Sequence, residues 1–277
     1  MVSVKVASVA GAVALFASLA NAADMPGLPP VYMPQVEEFA SASGWYLRGD
    51  IGMTNQQFKG LHQRLYDVPG TTVEAVGMGW DSSMFLGIGV GYKFNDWLRA
   101  DLTGEYRGKA NFHGLDIVRS GGNTFTDEYR GSKSEWLVLA NFYVDLGTWY
   151  SFTPFVGAGI GASYNTISNF LDVCTTCTGG GVATGDTASK WNFAWALHAG
   201  VAYKVNSQLT IEFAYRYVSL GDAVSGDLVT FTGTNNINNP MEFNKISSHD
   251  LKLGVRWLLD APVEKGPVML PPLRSRG

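Results

Sequence analysis

Through much of the chain, hydrophobic and polar residues alternate one by one. In HDLKLGVRW, residues 249–257, Leu251, Leu253, Val255 and Trp257 fall on one parity while Asp250, Lys252 and Arg256 fall on the other. A period of two is that of a β-strand with one apolar and one charged face. The pattern predicts eight strands, at about Trp45–Phe58, Ser83–Phe94, Trp97–Gly108, Ser134–Leu146, Phe152–Tyr164, Trp191–Val205, Gln208–Val218 and Ser248–Leu258. A strand of about 12 residues rising ~3.4 Å each and tilted by ~40° spans roughly 30 Å, enough to cross the apolar layer of a bilayer. Strands of soluble proteins are typically about half as long.

The connections alternate too. Asn95-Asp96, Gly147 to Ser151 and Asn206-Ser207 are short and read as hairpin turns. Residues 59–82, 109–133, 165–189 and 219–247 read as long loops. Alternation of short and long connections implies a meander with every long loop at one end. Pairing of the first strand with the last would remove both sheet edges, and lipid tolerates no unpaired backbone. The expected fold is therefore all-β, an eight-stranded antiparallel up-and-down transmembrane β-barrel.

Which face looks inward decides the solvent. One parity gathers bulk such as Leu86, Ile88 and Val90, or Phe193, Trp195 and Leu197. The other carries Arg48, Asp50, Arg99, Asp101, Glu105, Arg107, Glu212, Arg216, Asp250, Lys252 and Arg256. A soluble barrel would bury the first set, a membrane barrel the second. The apolar set is too bulky for an eight-stranded interior, which is only just wide enough to be filled by side chains. Aromatic residues gather near predicted strand ends, at Trp45, Trp136, Trp191, Tyr203, Tyr217 and Trp257, where an interfacial girdle would sit. On the polar parity, Gly87, Gly89 and Gly91, and likewise Gly157, Gly159 and Gly161, leave room for long side chains arriving from other strands. The membrane barrel is the preferred reading; the soluble rival is a lipocalin-like carrier, for which Gly44-Trp45 is a faint cue.

Composition agrees. Glycine accounts for 33 of 277 residues and charged residues for 16%, against usual shares of ~7% and ~25%. The chain opens with Lys5, an apolar stretch to about Leu19 and an Ala20-x-Ala22 step, which reads as a secretory signal over residues 1–22. A retained membrane helix is disfavoured because a span needs roughly 20 apolar residues. Without Lys5 the net charge moves from −4 to −5, too mild to imply a nucleic-acid partner. Residues 23–43 read as a Pro-rich linker, 44–258 as the barrel and 259–277 as a Pro-rich C-terminal tail.

The runs SGWYLRGDIG (43–52), GVGYKFNDWLRADLTGEYRG (89–108), NFYVDLGTWYSFTPFVGAGIG (141–161), WNFAWALHAGVAYKV (191–205), IEFAYRYVSLGD (211–222) and SSHDLKLGVRW (247–257) resemble bacterial outer-membrane β-barrel proteins of the opacity-protein and rhizobial surface-antigen type. No single run is specific; their order is. The resemblance implies a Gram-negative outer-membrane barrel with extracellular loops and periplasmic termini, the 23–43 linker included, porin-like or surface-antigen in character, and supplies no catalytic residues.

The polar parity offers seven acids, the five above with Glu135 and Asp145, against eight bases, the six above with Lys93 and Lys204. Unpaired charges in so narrow a bore each cost several kcal/mol. The expected interior is accordingly a paired network that largely plugs the lumen; the alternative is a narrow porin-like channel for small solutes. Cys174 and Cys177 are expected to form a small disulfide loop or remain two thiols, with no βαβ context for a redox site. Zinc would need two further ligands, and only His62 and His113 lie in loops, so no metal or cofactor is expected. His249 beside Ser247 and Ser248 raises a lipid esterase, but neither serine has an activating arrangement, and no enzyme is expected. Loop aromatics Phe112, Phe125, Phe170 and Phe231 are expected to face surface ligands. Expected partners are outer-membrane lipid and lipopolysaccharide, then peptidoglycan or surface ligands, with a monomer favoured.

Overall fold

The computed structural model describes residues 43–177, 181–234 and 240–259. The signal segment, the linker apart from Ser43 and the tail apart from Leu259 lie outside the described residues. Twelve strands follow in order: β1 (Gly44–Gln57), β2 (Gly60–His62), β3 (Thr72–Trp80), β4 (Ser83–Lys93), β5 (Leu98–Ser120), β6 (Asn123–Asp145), β7 (Phe152–Cys174), β8 (Gly181–Gly185), β9 (Ala188–Lys204), β10 (Leu209–Val224), β11 (Leu228–Thr230) and β12 (Glu242–Leu258). Among the described residues, a single 3-10 turn spans Arg64–Asp67.

Eight of these strands close a ring, β1–β4–β5–β6–β7–β9–β10–β12 and back to β1, with every neighbour antiparallel. The closing seam runs from Tyr46 opposite Leu258 to Gln57 opposite Ser247, so the barrel wall has no free edge. At one end the turns are short for a chemical reason. Asn95 Oδ1 accepts from the amides of Trp97 (3.0 Å) and Leu98 (2.8 Å), and Asn206 Oδ1 accepts from those of Gln208 (2.9 Å) and Leu209 (2.8 Å). The two Asx turns have the same form.

The opposite end differs from expectation. Residues 109–133 are not a loop: β5 and β6 are 23 residues each and continue to a two-residue turn at Gly121-Gly122, with φ of 58° and 81°. Two successive positive φ values suit a hairpin turn that only glycine adopts at little cost. Most of 165–189 is likewise strand, in β7, β8 and the start of β9. The period of two persists there, but its contrast fades. On β5 the inner parity runs Ala110, Phe112, Gly114, Asp116, Val118 while the outer parity holds Asn111 and His113. Beyond the lipid neither face has to be uniformly apolar, so alternation weakens without the strand ending. β2 pairs with β12, β3 with β5, and β8 with both β7 and β11, giving the long-loop end a lobe of added sheet.

Outward residues on the ring are large and apolar. Leu86, Ile88, Phe193, Phe213 and Leu253 are all exposed, Ile88 at 75%. Two aromatic rows bound this surface. Tyr106, Trp136, Tyr164 and Trp191 stand opposite one another on β5, β6, β7 and β9, and the Tyr106–Trp136 and Tyr164–Trp191 ring centroids lie 4.9 and 4.7 Å apart. Near the short-turn end, Trp45 packs on Tyr92 (5.3 Å) and Phe152 on Tyr203 (4.9 Å). On β9 the rows are separated by the run from Trp191 to Tyr203, which at ~3.3 Å per residue and ~40° of tilt rises about 30 Å.

Candidate functional site

The interior is filled in three levels. Nearest the short-turn end, Arg48 on β1 donates to Asp50 (2.9 Å), to Asp101 on β5 (2.6 Å), to Tyr143 on β6 (3.3 Å) and to Glu212 on β10 (3.3 Å). Arg99 donates to Asp145 (3.1 Å), pairs with Glu212 (3.2 Å) and lies 4.2 Å from the Tyr143 ring centroid. Glu212 also meets Arg256 at 3.5 Å, and Lys252 stands 3.6 Å from Asp50. Arg48 and Arg256 are directly opposite across the closing seam, and the shared carboxylate of Glu212 is what makes that like-charge register tolerable.

At mid-height, Arg107 donates to Asp250 (2.6 and 2.9 Å), to Thr54 (2.5 Å) and to Ser248 (2.9 Å), and pairs with Glu135 (2.6 Å). Arg216 forms a two-pronged pair with Glu105 (2.6 and 2.7 Å) and also reaches Asp250 (2.7 Å). The Phe85 ring is shared by both guanidiniums, at 5.3 and 5.1 Å. Lys133 pairs with Glu135 and donates to Gln56 at 2.8 Å.

Glycines make the space. A Cβ on Gly87 would lie 2.8 Å from Glu105 Cγ, and one on Gly89 would lie 3.0 Å from Arg48 Cγ and 2.8 Å from Thr103 Cγ2. The long charged side chains thus lie flat over glycine ladders on the neighbouring wall, a close approach that any side chain there would block.

Of the predicted lumen residues, Arg48, Asp50, Arg99, Asp101, Glu105, Arg107, Glu212, Arg216, Asp250 and Lys252 are buried, and Arg256 retains slight exposure. Lys133 was missed because its position fell in an expected loop; with it, and without the partly exposed Lys93 and Lys204 that were expected there, the network has seven acids and seven bases. Tyr46, Phe85 and Tyr143 were also missed, although each shares the inward parity of Arg48, Gly87 and Asn141. Of the predicted girdle, Trp45, Trp136, Trp191, Tyr203 and Trp257 are exposed on the outer face; Tyr217 is half-buried against Trp195 and His249.

Above the second level, an apolar cluster fills the long-loop end. Phe58, Trp80, Phe112, Phe170 and Phe243 interlock with centroid distances of 4.9 to 6.4 Å and are joined by Leu220, Leu228 and Met241. This corrects the expectation that Phe112 and Phe170 face ligands: they are 2% and 1% exposed, because their segments are strands whose inner parity packs the lobe. Phe231 is 93% exposed and Phe125 intermediate.

At the same end, beyond the Tyr106–Trp136 row, Asp116, Asp127 and Asp172 gather with Tyr66 and Tyr129. Tyr66 donates to Asp116 at 2.6 Å and Tyr129 at 3.3 Å. Burial raises all three carboxyls, against the tyrosine hydrogen bonds at Asp116, and with added repulsion from Asp116 at Asp127 and from Asp127 and Asp116 at Asp172. Asp127 is pushed up to about 6 and Asp172 to about 7. Cys174 and Cys177 form a disulfide at the end of β7, where the Thr175 amide donates to Thr126 O (2.8 Å) and ties this corner to β6.

Ser248 and His249 point to opposite sides of the wall. Ser248 Oγ sits inside, 2.5 Å from Asp250, while His249 Nδ1 lies outside, 2.6 Å from the Tyr215 hydroxyl. No group of three or more His, Cys, Asp or Glu side chains with metal-holding geometry occurs among the described residues.

A closed ring with charges inside, apolar bulk outside and aromatic rows at both borders is the construction of an integral outer-membrane barrel. The chain belongs to the outer membrane protein beta-barrel domain family, whose model matches residues 9–257. It is 36% identical to an uncharacterised protein of Brucella abortus over 73% of this chain and 76% of that protein. It is 28% identical to a putative adhesin of Rickettsia bellii over 77% of this chain and 87% of the relative. Among solved structures it is similar to OprG, an outer-membrane protein of Pseudomonas aeruginosa, at 16% identity and a TM-score of 0.43, covering 79% of this chain and 97% of that one.

Proposed function

We propose that this outer-membrane barrel is a sealed, non-enzymatic surface protein: its wall anchors it in lipid, its lumen does not conduct, and its long-loop lobe is displayed outside the cell with both termini in the periplasm. The observation that carries the reading is the crossing of the bore by Arg216, whose guanidinium on β10 grips Glu105 on the diametrically placed β5. The apolar cluster around Phe112 and Phe243 adds a second barrier above it. Ions entering such a path would meet charges already paired with one another, then a layer with nothing to replace their hydration. The name of the Rickettsia relative, a putative adhesin, fits display of the lobe at the surface. Ring closure, which leaves the barrel wall no free edge, favours a monomer in contact with membrane lipid and lipopolysaccharide.

The test is conductance. Reconstituted into planar bilayers, the full chain is expected to give no discrete single-channel steps. Stable, reproducible steps in the native chain would replace this reading with a narrow channel. As a positive control, Arg216→Ser combined with Phe112→Ser widens the path at both levels and should conduct if the barrel has inserted.

A further inference from the structure

The acidic and tyrosine groups at the long-loop end are not used by the sealed-barrel reading. The three acids occupy adjacent strands on the inward parity, and Tyr66 reaches them from the 64–67 turn. Asp116 on β5 stands directly opposite Asp127 on β6. Asp172 on β7 is one step off in register, since Tyr129 pairs with Asp172 and Asp127 with Cys174. Diagonal neighbours of this kind remain within reach of each other's field.

Three features set this cluster apart from the ion network below it. Among the described residues, no Lys, Arg or His nitrogen approaches any of the three carboxylates within 4.0 Å. Among the described residues Asp127, 9% exposed, makes no side-chain hydrogen bond, and Asp172 Oδ1 is buried without a partner. The third feature is a loop contact: the 64–67 turn, which lies between β2 and β3, inserts Tyr66 so that its hydroxyl donates to Asp116.

The other charged groups nearby face elsewhere. Glu74 of β3 pairs with Arg119 on the exposed side, Glu128 with Arg130 on the exposed side, and Asp67 turns to His62. Arg64 is exposed on the turn itself, and Ala75 and Ala183 are the residues of β3 and β8 opposite Asp116 and Asp172. Positions 178–180 and 235–239 carry no titratable side chain.

We propose that this cluster is a proton-responsive latch, which holds the 64–67 turn against the barrel's inner wall when Asp127 and Asp172 are protonated and releases it as they ionise. Ionised, the two acids add negative charge beside the tyrosine-held Asp116 with no base to offset it, in a poorly hydrated site. Protonated, each gains a donor and the repulsion is gone. The sign follows from linkage: groups raised in the docked state bind protons more tightly there, so docking is strongest in acid. It weakens as pH climbs from the ordinary carboxylate range through about 6 for Asp127 and about 7 for Asp172, and levels off above.

Hydrogen exchange of the 63–68 amides, corrected for intrinsic rates, measures docking in the full chain reconstituted in lipid bilayers. Protection is expected to be at least roughly tenfold greater at about pH 5 than at about pH 8. Asp127→Asn with Asp172→Asn should remove the difference and leave the turn protected at both. Tyr66→Phe should lose protection at both, while the barrel amides of β4 stay unchanged in all variants. If the double variant does not fold, Asp172→Asn alone should shrink the difference. Equal protection of the native turn at both pH values overturns the latch, as does the full native difference persisting in either asparagine variant or in Tyr66→Phe.

Discussion

Arg216 and Glu105 are joined by two hydrogen bonds of 2.6 and 2.7 Å although 111 residues separate them in sequence and three strands lie between theirs in either direction around the ring. The pair is a strut across the bore. Because both groups are fully buried, removing one leaves the other's charge unmatched, and this costs far more than the pair contributes over an apolar equivalent.

Arg216→Ala is therefore expected to destabilise the folded barrel by about 3–5 kcal/mol, since Glu105 loses its ion-pair partner and Asp250 one of its two. Arg216→Met with Glu105→Leu should recover much of that loss, as Asp250 keeps its bonds to Arg107. Urea titration of the lipid-reconstituted protein, followed by loss of heat-modifiable migration, compares the three. A double variant as unstable as Arg216→Ala would show that the strut's charges, not their pairing, hold the wall.

The glycines give a position-dependent contrast. Gly49 and Gly104 face outward with nothing within 4 Å of an added Cβ, whereas Gly89 is hemmed in by Arg48 Cγ, Thr103 Cγ2 and the Leu102 carbonyl. Gly49→Ala is expected to assemble normally. Gly89→Leu should displace Arg48 from its carboxylates and cost about 1–3 kcal/mol or more through overpacking, visible as a reduced folded fraction after refolding. Equal yields for the two would mean that the interior has slack the packing does not show.

The sequence carries most of this because a lipid-crossing wall must sort residues by parity without exception. Ile88 beside Gly89, or Leu253 beside Lys252, announces both strand and face. Tyr46, Phe85 and Tyr143 obey the same parity but are obscured by chemistry: an aromatic ring among charges reads as lipid-facing until the cation–π contacts with Arg256, with Arg107 and Arg216, and with Arg99 are known. The lobe was harder still. Lys133 lies where the outward residues are no longer apolar, so its strand resembles a loop. Phe112 and Phe170 look like surface aromatics until β3, β8 and β11 are seen to wrap the end they fill.

The outer wall predicts a graded response to charge. Ile88 lies mid-strand on β4, opposite Gly49 and Gly104, and is 75% exposed to what the fold makes lipid. Ile88→Arg is expected to cost about 2–4 kcal/mol, and an arginine at Tyr92, in the aromatic row nearer the short turns, about 0–1 kcal/mol. Unfolding in lipid vesicles measures both. Equal costs would mean that the apolar band is not centred where the aromatic rows place it.

The lobe and the barrel should come apart under the right substitution. Phe112 touches Phe58, Trp80, Phe170 and Phe243 at centroid distances of 5.8, 4.9, 6.4 and 5.0 Å, and is thereby the common neighbour of four separate segments. Truncation removes those contacts and leaves a cavity that strands fixed by the ring cannot collapse around, so Phe112→Ala should cost about 3–5 kcal/mol locally. The ion network below it shares no side chain with this cluster, and sites without shared partners respond nearly independently. Limited proteolysis in intact vesicles should accordingly cut within β3 or the β10–β12 connection far faster than in the native chain, while the residual membrane fragment keeps its heat-modifiable migration. Loss of that migration along with the lobe would show that the apolar cluster supports the membrane barrel as well as the structure above it.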